Sequence, residues 1–264
     1  MIKGLIIYND VDKNKNEWFI SKCLKEMNDA RFSLLYKEEK EVLPYVKDNK
    51  IDFVIYRSRD YHLLEELEKL GIRCFNNSLT NKIANDKYAT YELCKKNNIP
   101  CLETFLNNHQ NLEYPFIMKN LNGHGGNNVY LIHDKLEEKE VLKKSQEDYI
   151  YQTYIKNAFD VRLYVLKHQV VGAVKRSNLH DYRSNYSLGG EVAKYEPSKE
   201  MIDISLKLSK LLNADYIGVD FLINKENVYL NEIEDPVGAR MLYKVSDIDV
   251  ISLFLEEIKN QLKQ

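Results

Sequence analysis

Apolar positions along the first 80 residues alternate between two rhythms. Residues 4–8 form a short β-rich run, and Trp18, Phe19, Cys23, Leu24 and Met27 then recur at helical spacing before residues 32–36 turn strand-like again. Residues 51–56 make a third apolar run. Leu63, Leu64, Leu67 and Leu70 share one helical face that Gly71 ends, and residues 72–75 make a fourth strand. Short apolar strands separated by helices predict a parallel sheet with helices on its faces, a small α/β unit of Rossmann-like type. No G-x-G-x-x-G follows its first strand, which disfavours a dinucleotide site there.

The rhythm changes near residue 84. A helix is expected from Asp86 to about Asn97, ending before Ile99-Pro100 because the residue preceding proline is pushed out of the helical region. Strands follow at 116–119, 129–133 and 149–152, with a helix opened by Asp134 and its Glu137. Two alternating runs, 161–166 and 170–175, flank the turn-like Lys167-His168-Gln169. A helix is expected at about 198–212, then strands at 216–223 and 228–234 joined as a hairpin by residues 224–227. Ser246, with Asp249 three residues later, is expected to cap the last helix.

Composition narrows the classes. At 264 residues the chain has room for one or two domains, and 44% hydrophobic with 30% charged residues is an ordinary globular balance. No run reaches the roughly 18 apolar residues of a membrane helix, and the apolar start lacks a cleavage site, so a cytoplasmic protein without a membrane partner is expected. Cys23, Cys74, Cys94 and Cys101 lack C-x-x-C spacing and read as core thiols. A net charge of -2 gives no electrostatic case for nucleic acid. Glycine is scarce at ten, yet Gly123, Gly125 and Gly126 crowd into one short stretch.

That stretch, Lys119 through Gly126, is a strand end followed by a glycine loop. Glycines let backbone N–H groups wrap an anion, and a lysine at the strand end sets a positive charge beside it; an ordinary hairpin loop is the alternative. Asp220 in one strand of the last hairpin, with Glu232 and Glu234 in the other, offers three oxygen donors to hard cations. A solvated edge is the alternative there. Arg162 and Arg176 fall on adjacent strands, and Arg183-Ser184-Asn185 precedes Gly189-Gly190. With eight arginines among 38 basic residues, each draws attention as an anion grip, although a surface salt bridge is the simpler reading of any one. Together these are parts for phosphoryl chemistry on a nucleotide.

The ordered set resembles the ATP-grasp enzymes, most closely the branch of ribosomal-protein glutamate ligases and lysine-biosynthesis ligases. It runs through Asn85-Asp86-Lys87, Asn98-Ile99-Pro100, residues 115–119 with the glycine loop, Gln152-Thr153-Tyr154-Ile155 and Asp160-Val161-Arg162. It continues through Arg183-Ser184-Asn185, Gly218-Val219-Asp220, and Glu232-Ile233-Glu234 with Pro236 and Gly238. The resemblance implies an α/β (α+β) chain: an N-terminal pre-ATP-grasp unit at 1–84, then a two-lobed ATP-grasp fold with antiparallel sheets, its small lobe at 85–155 and its metal-bearing lobe at 156–264. It implies that Lys87 and Lys119 hold the phosphates of ATP under the loop Gly123, His124, Gly125, Gly126. Tyr154 and Ile155 would form the adenine hinge and Asp160 would meet the ribose. Arg176 would sit by the reacting groups, Arg183, Ser184 and Asn185 would approach the triphosphate, and Asp220, Glu232 and Glu234 would hold Mg²⁺, with Mn²⁺ as the alternative ion.

Three positions depart from the branch. Thr153 stands where it usually has Glu, residues 155–160 are about two shorter, and Glu234 replaces the usual Asn, which predicts tighter metal binding. The implied activity is an ATP-dependent carboxylate–amine ligase working through an acyl phosphate on small-molecule carboxylate and amine substrates, or on a peptide or protein terminus, with a homo-oligomer common in the family. An ATP-binding regulatory protein without ligase turnover is the alternative from another class, and an α/β module for a sugar or metabolite is a third. Arg240, directly after the metal strand, is the candidate for a substrate carboxylate. Arg57 and Arg59 at the third strand's end are weaker ones, for which a solvated strand end is the simpler reading.

Overall fold

The computed structural model describes residues 1–109, 112–123, 128–144, 147–177, 191–225 and 227–263. The chain opens with β1 (Ile2–Tyr8), α1 (Asp10–Lys13), α2 (Glu17–Met27), β2 (Phe32–Glu38), α3 (Val42–Asp48), β3 (Phe53–Tyr56), α4 (Tyr61–Lys69) and β4 (Arg73–Phe75). The four strands form a parallel sheet in the order β2-β1-β3-β4. In β1, Leu5 and Ile7 enter a core with Leu63, Leu64 and Leu67, while Ile6 and Tyr8 enter another with Phe19 and Cys23. Both faces are covered, so the strand reads as an unbroken apolar run rather than an alternating one. Gly71 has φ of +77° and ends α4, with Ile72 N–H reaching back to the Leu67 carbonyl at 3.1 Å.

Helices α5 (Ser78–Asn85) and α6 (Lys87–Lys96) follow, separated by Asp86, whose carboxylate caps α6 by accepting from the N–H of Tyr88 and Ala89 at 2.9 and 2.8 Å. Then β5 (Thr104–Leu106), β6 (Phe116–Asn120), β7 (Val129–Ile132), α7 (Lys135–Lys144) and β8 (Tyr149–Thr153) build a four-stranded antiparallel sheet, order β5-β8-β6-β7. A larger sheet, order β11-β10-β9-β12-β13, comes from β9 (Phe159–Leu166), β10 (Gln169–Ser177), β11 (Glu191–Lys194), β12 (Tyr216–Asn224) and β13 (Asn227–Glu234), with α8 (Lys199–Leu212) between β11 and β12. The β9–β10 turn needs positive φ at both Lys167 and His168, 40° and 63°, the twist-matched type for a two-residue hairpin.

The larger sheet has two different faces. Val161, Leu163, Val165, Ile217, Val219, Phe221 and Ile233 point to a core closed by Met201, Ile204, Leu208 and Leu212 of α8. On the other face Tyr164, Leu166, Val174 and Tyr216 join the core of the N-terminal sheet, together with Phe19 and Phe254. The same strands carry Asp160, Arg162, Asp220 and Glu232 at alternating positions of this second face. Half the face is apolar and docks the N-terminal unit; the other half is charged.

The last helices are α9 (Arg240–Val245) and α10 (Val250–Gln261). Here the expectation is corrected. The N-cap of α10 is Asp249, whose side chain accepts from Ser252 N–H at 3.1 Å, whereas the Ser246 hydroxyl donates to the Leu242 carbonyl and closes α9. The short helix α9, which the pattern did not reveal, takes up Ser246 and moves the cap to Asp249. Arg57 is a second correction. It is 4% exposed, donating to Tyr8 Oη at 3.2 Å and the Val237 carbonyl at 2.6 Å with its guanidinium over Phe19, so it is a packed cation and not a solvated strand end. Cys23, Cys74 and Cys94 are buried thiols and Cys101 is half-buried, as a set of core thiols requires. Among the described residues no helix is long and apolar enough to cross a membrane.

Asparagines lock the N-terminal segment to the larger sheet. The Asn76 side chain accepts from the N–H groups of Asp215 and Tyr216 at 2.6 and 2.9 Å and donates to the Tyr216 carbonyl and to Asp235 at 2.7 and 2.8 Å. Asn76→Ala strips the buried Asp215 and Tyr216 N–H groups of this acceptor and leaves Asp235 only its Asn81 donor. It is expected to cost about 2–4 kcal/mol, read as a lower denaturation midpoint at unchanged slope; a loss below about 0.5 kcal/mol would show that the lock contributes nothing.

Candidate active site

The charged half of the sheet face is a row of paired ions. Register sets Asp220 opposite Arg162 on one side and Glu232 on the other, and sets Arg176 opposite Asp160. Arg162 grips Asp220 with a two-pronged fork, Nε and Nη2 each 2.7 Å from a carboxylate oxygen, and Nη2 also reaches Glu234 at 2.7 Å. Arg176 bridges Asp160 and Asp220. Asp220 has no solvent exposure. Burial opposes its charge, but the two guanidiniums overcome this and hold its carboxyl at about 2. Burial pushes Asp160 up to about 7 against the pull of Arg176, and burial with the neighbouring Asp220 holds Glu232 above the usual carboxylate range.

Oxygen atoms of Asp220, Glu232 and Glu234 all lie within 4.8 Å of one another. Three clustered carboxylates, one of them resisting ionisation, have the donor set that suits a hard divalent cation. Gly218 keeps the strands close here, since a Cβ on it would lie 2.8 Å from Val237 Cγ2 and 3.2 Å from Glu234 Cβ. Facing the carboxylates are two lysines from the other side of a cleft. Lys119 at the end of β6 donates to Asn231 Oδ1 at 2.8 Å, and Lys87 at the start of α6 donates to the Gly123 carbonyl. Arg59, Asn85, Lys87, Gly123, Glu232 and Glu234 line a cleft open to solvent.

Residues 84–258 match the family model described as a RimK-like ATP-grasp domain. The chain belongs to the RimK-like ATP-grasp family. Its motif order implies the same family. The chain is 28% identical over 270 residues to the uncharacterized protein MG011 of Mycoplasma genitalium, covering 99% of this chain and 94% of that protein. It is 27% identical over 252 residues to a probable alpha-L-glutamate ligase of Haemophilus influenzae, covering 88% of this chain and 83% of the relative. Among solved structures, D-alanine–D-alanine ligase from Bacillus anthracis superposes with a TM-score of 0.77 at 16% identity over 99% of both chains, a likeness of fold.

Against this ATP-grasp frame, the structure gathers Lys87, Lys119, Gly123, Glu232, Glu234, Asp220, Asp160 and Arg176 around one cleft and the ion row beneath it. Tyr154 and Ile155 follow β8 and are half-buried. His124, Gly125, Gly126, Arg183, Ser184 and Asn185 lie outside the described residues. Arg240 starts α9 on the exposed side, donating to the Lys15 carbonyl at 2.8 Å, and is not among the described residues lining the cleft. Sequence reasoning assigned no role to Asn231, the partner of Lys119, or to Asn81 and Asn85, which donate to Asp235 just after β13 at 2.9 Å each. Only Asn85 carried a signal, as part of Asn85-Asp86-Lys87.

Burial pushes the Lys119 ammonium down to about 8, with Glu232 opposing and nearby Lys87 adding to the fall. Burial likewise lowers Lys87. A bound polyphosphate restores the charge, so nucleotide binding above about pH 8 takes up a proton. ATP affinity is expected to fall about tenfold between about pH 7 and pH 9.5, less so in Lys119→Met. Calorimetry in buffers of different ionisation enthalpy checks this, and equal affinity and no proton uptake across that range would contradict it. In the free protein the unfolded chain keeps this proton longer, so this lysine's contribution makes stability rise with pH from about 8 toward 10.5.

Proposed function

We propose that this chain is an ATP- and Mg²⁺-dependent carboxylate–amine ligase that forms an amide bond through an acyl phosphate, with an amino acid or a peptide terminus as a substrate. The observation carrying this reading is the convergence of Asp220, Glu232 and Glu234 within 4.8 Å, beside a cleft that also holds Lys87. The relative named as a probable alpha-L-glutamate ligase makes L-glutamate the first amine substrate to test.

In this reading Lys87 and Lys119 bind the phosphates and orient the γ-phosphoryl group. A substrate carboxylate oxygen attacks the γ-phosphorus, the bond to the bridging oxygen breaks, and ADP leaves. The amine then attacks the acyl carbon, and phosphate departs with one of the original carboxylate oxygens. Both steps move charge between anions, so fixed cations placed beforehand lower the barrier without reorganising at the moment of reaction. The half-buried wall keeps that charge out of bulk water, where the same contacts would be worth far less. Asp220, Glu232 and Glu234 would hold Mg²⁺, which when bound would offset polyphosphate charge and polarise the transferred group. Arg162 and Arg176 keep Asp220 ionised and fixed in place. The glycine loop including Gly123 would cover the phosphates, and Tyr154 and Ile155 would meet the adenine.

Two measurements test the reading. ADP release across a panel of amino acids and peptides, each paired with candidate carboxylates, is expected to give turnover with at least one pair. ATP binding without turnover across the panel would favour a regulatory nucleotide binder instead. Asp220→Asn is expected to lower Mg²⁺-dependent turnover at least about a hundredfold, and unchanged turnover would remove Asp220 from the metal set.

A further inference from the structure

Among the described residues lining the cleft, the cations are Lys87 and Arg59. Phosphate binding claims Lys87, leaving Arg59 without a task. Its position is not incidental. Strand β1 pairs with β2 on one side and β3 on the other, so the chain reverses its direction of travel across the sheet between β1 and β3. In open parallel sheets, ligands settle outside the carboxyl ends of the strands at such a reversal. Arg59 lies just beyond the carboxyl end of β3, and Asp12 just beyond that of β1.

The arginine is held ready. Its Nη1 donates to Asp12 Oδ2 at 2.7 Å, and Asp12 is itself fixed by Asn9, which accepts from the Asp12 N–H at 2.8 Å and donates to Asp12 Oδ2 at 3.1 Å. The same Asn9 amide reaches Ser58 Oγ at 3.2 Å, tying the two strand ends together. Among the described residues, the Nε–Nη2 edge of Arg59 makes no hydrogen bond, and that edge has the planar fork that matches a carboxylate. Arg59 also lies near enough to Lys87 and Asp235 to influence the charge of both, so it belongs electrostatically to the same cleft.

We infer that Arg59, oriented by Asp12 at the β1–β3 crevice, binds the free carboxylate of an amino-acid substrate, a carboxylate other than the one activated by ATP. The inference rests on the ligase reading above and adds to it a substrate class. The reacting carboxylate is a poor occupant, because a guanidinium fork would tie up the oxygen lone pairs that must attack phosphorus. A spectator carboxylate suffers no such conflict. It comes from the amino acid supplying the amine or from the second carboxyl of a dicarboxylic donor.

The test is equilibrium binding to the full chain saturated with Mg²⁺ and a non-hydrolysable ATP analogue. Each L-amino acid is compared with its α-amide, and succinate with succinamate, which separates the two sources. In the unaltered protein at least one acid is expected to bind about tenfold or more tighter than its amide, because the amide loses a charge-assisted contact. Arg59→Gln is expected to bring acid and amide to within about twofold while changing the nucleotide analogue's affinity far less than the acid's, and Arg59→Lys to keep part of the preference. Partial retention in the lysine variant excludes misfolding as the cause of the loss in the glutamine variant. The inference is overturned if no acid is preferred over its amide, if the preference survives in Arg59→Gln, or if that variant weakens the nucleotide analogue as much as the acid. A protein that shows the Arg59-dependent preference but releases no ADP would instead defeat the ligase reading and leave the carboxylate anchor standing.

Discussion

The cleft depends on keeping Asp220 charged in a place with no solvent. A lone carboxylate there would take a proton; even beside Arg176, burial raises Asp160 to about 7. Two guanidiniums prevent this at Asp220, one through a fork from β9 and one from β10. The arrangement is a weak source of stability, since desolvating the partners offsets much of the attraction. Its value is geometric. A forked pair fixes the carboxylate plane where strand register brings Glu232 and Glu234 alongside from β13.

The charges at the cleft come close to balance. Arg162, Arg176, Lys87 and Lys119 face Asp160, Asp220, Glu232 and Glu234. A polyphosphate entering such a site would bring an anionic surplus that the protein's own cations do not offset. The lysines sit below their ordinary values because burial weakens an ammonium that has no phosphate beside it. The N-terminal segment completes the frame from outside. Asn76, Asn81 and Asn85 converge on Asp235, and Arg57 holds the Val237 carbonyl, so the turn after β13 is clamped from the N-terminal side of the chain.

Much of this was legible in the sequence where the signal is local. Period-two patterning gives the strands of the last hairpin, and the spacing of Glu232 and Glu234 puts them on one face with Asp220 opposite. The glycine–lysine stretch and the order of motifs point to the nucleotide. What stayed hidden depends on partners distant in the chain. Arg57 looks like any strand-end arginine until Val237, 180 residues away, supplies its acceptor. Asn76 and Asn81 lie 159 and 154 residues from Asp235, and nothing near them in the chain reveals that it needs their donors. Arg59 and Arg240 show the same limit in reverse: adjacency to the metal strand favoured Arg240, yet folding points it to the Lys15 carbonyl and brings Arg59 to the cleft.

The central claim is that a carboxylate oxygen passes to phosphate at this cleft. It is tested most directly by running the reaction with a carboxylate substrate labelled with ¹⁸O and analysing the released phosphate by mass spectrometry. The account predicts that each phosphate formed carries one oxygen from the labelled carboxylate, in step with ADP and amide formation. Phosphate released without label while amide accumulates would contradict it, because the carboxylate would not have been activated by phosphorylation.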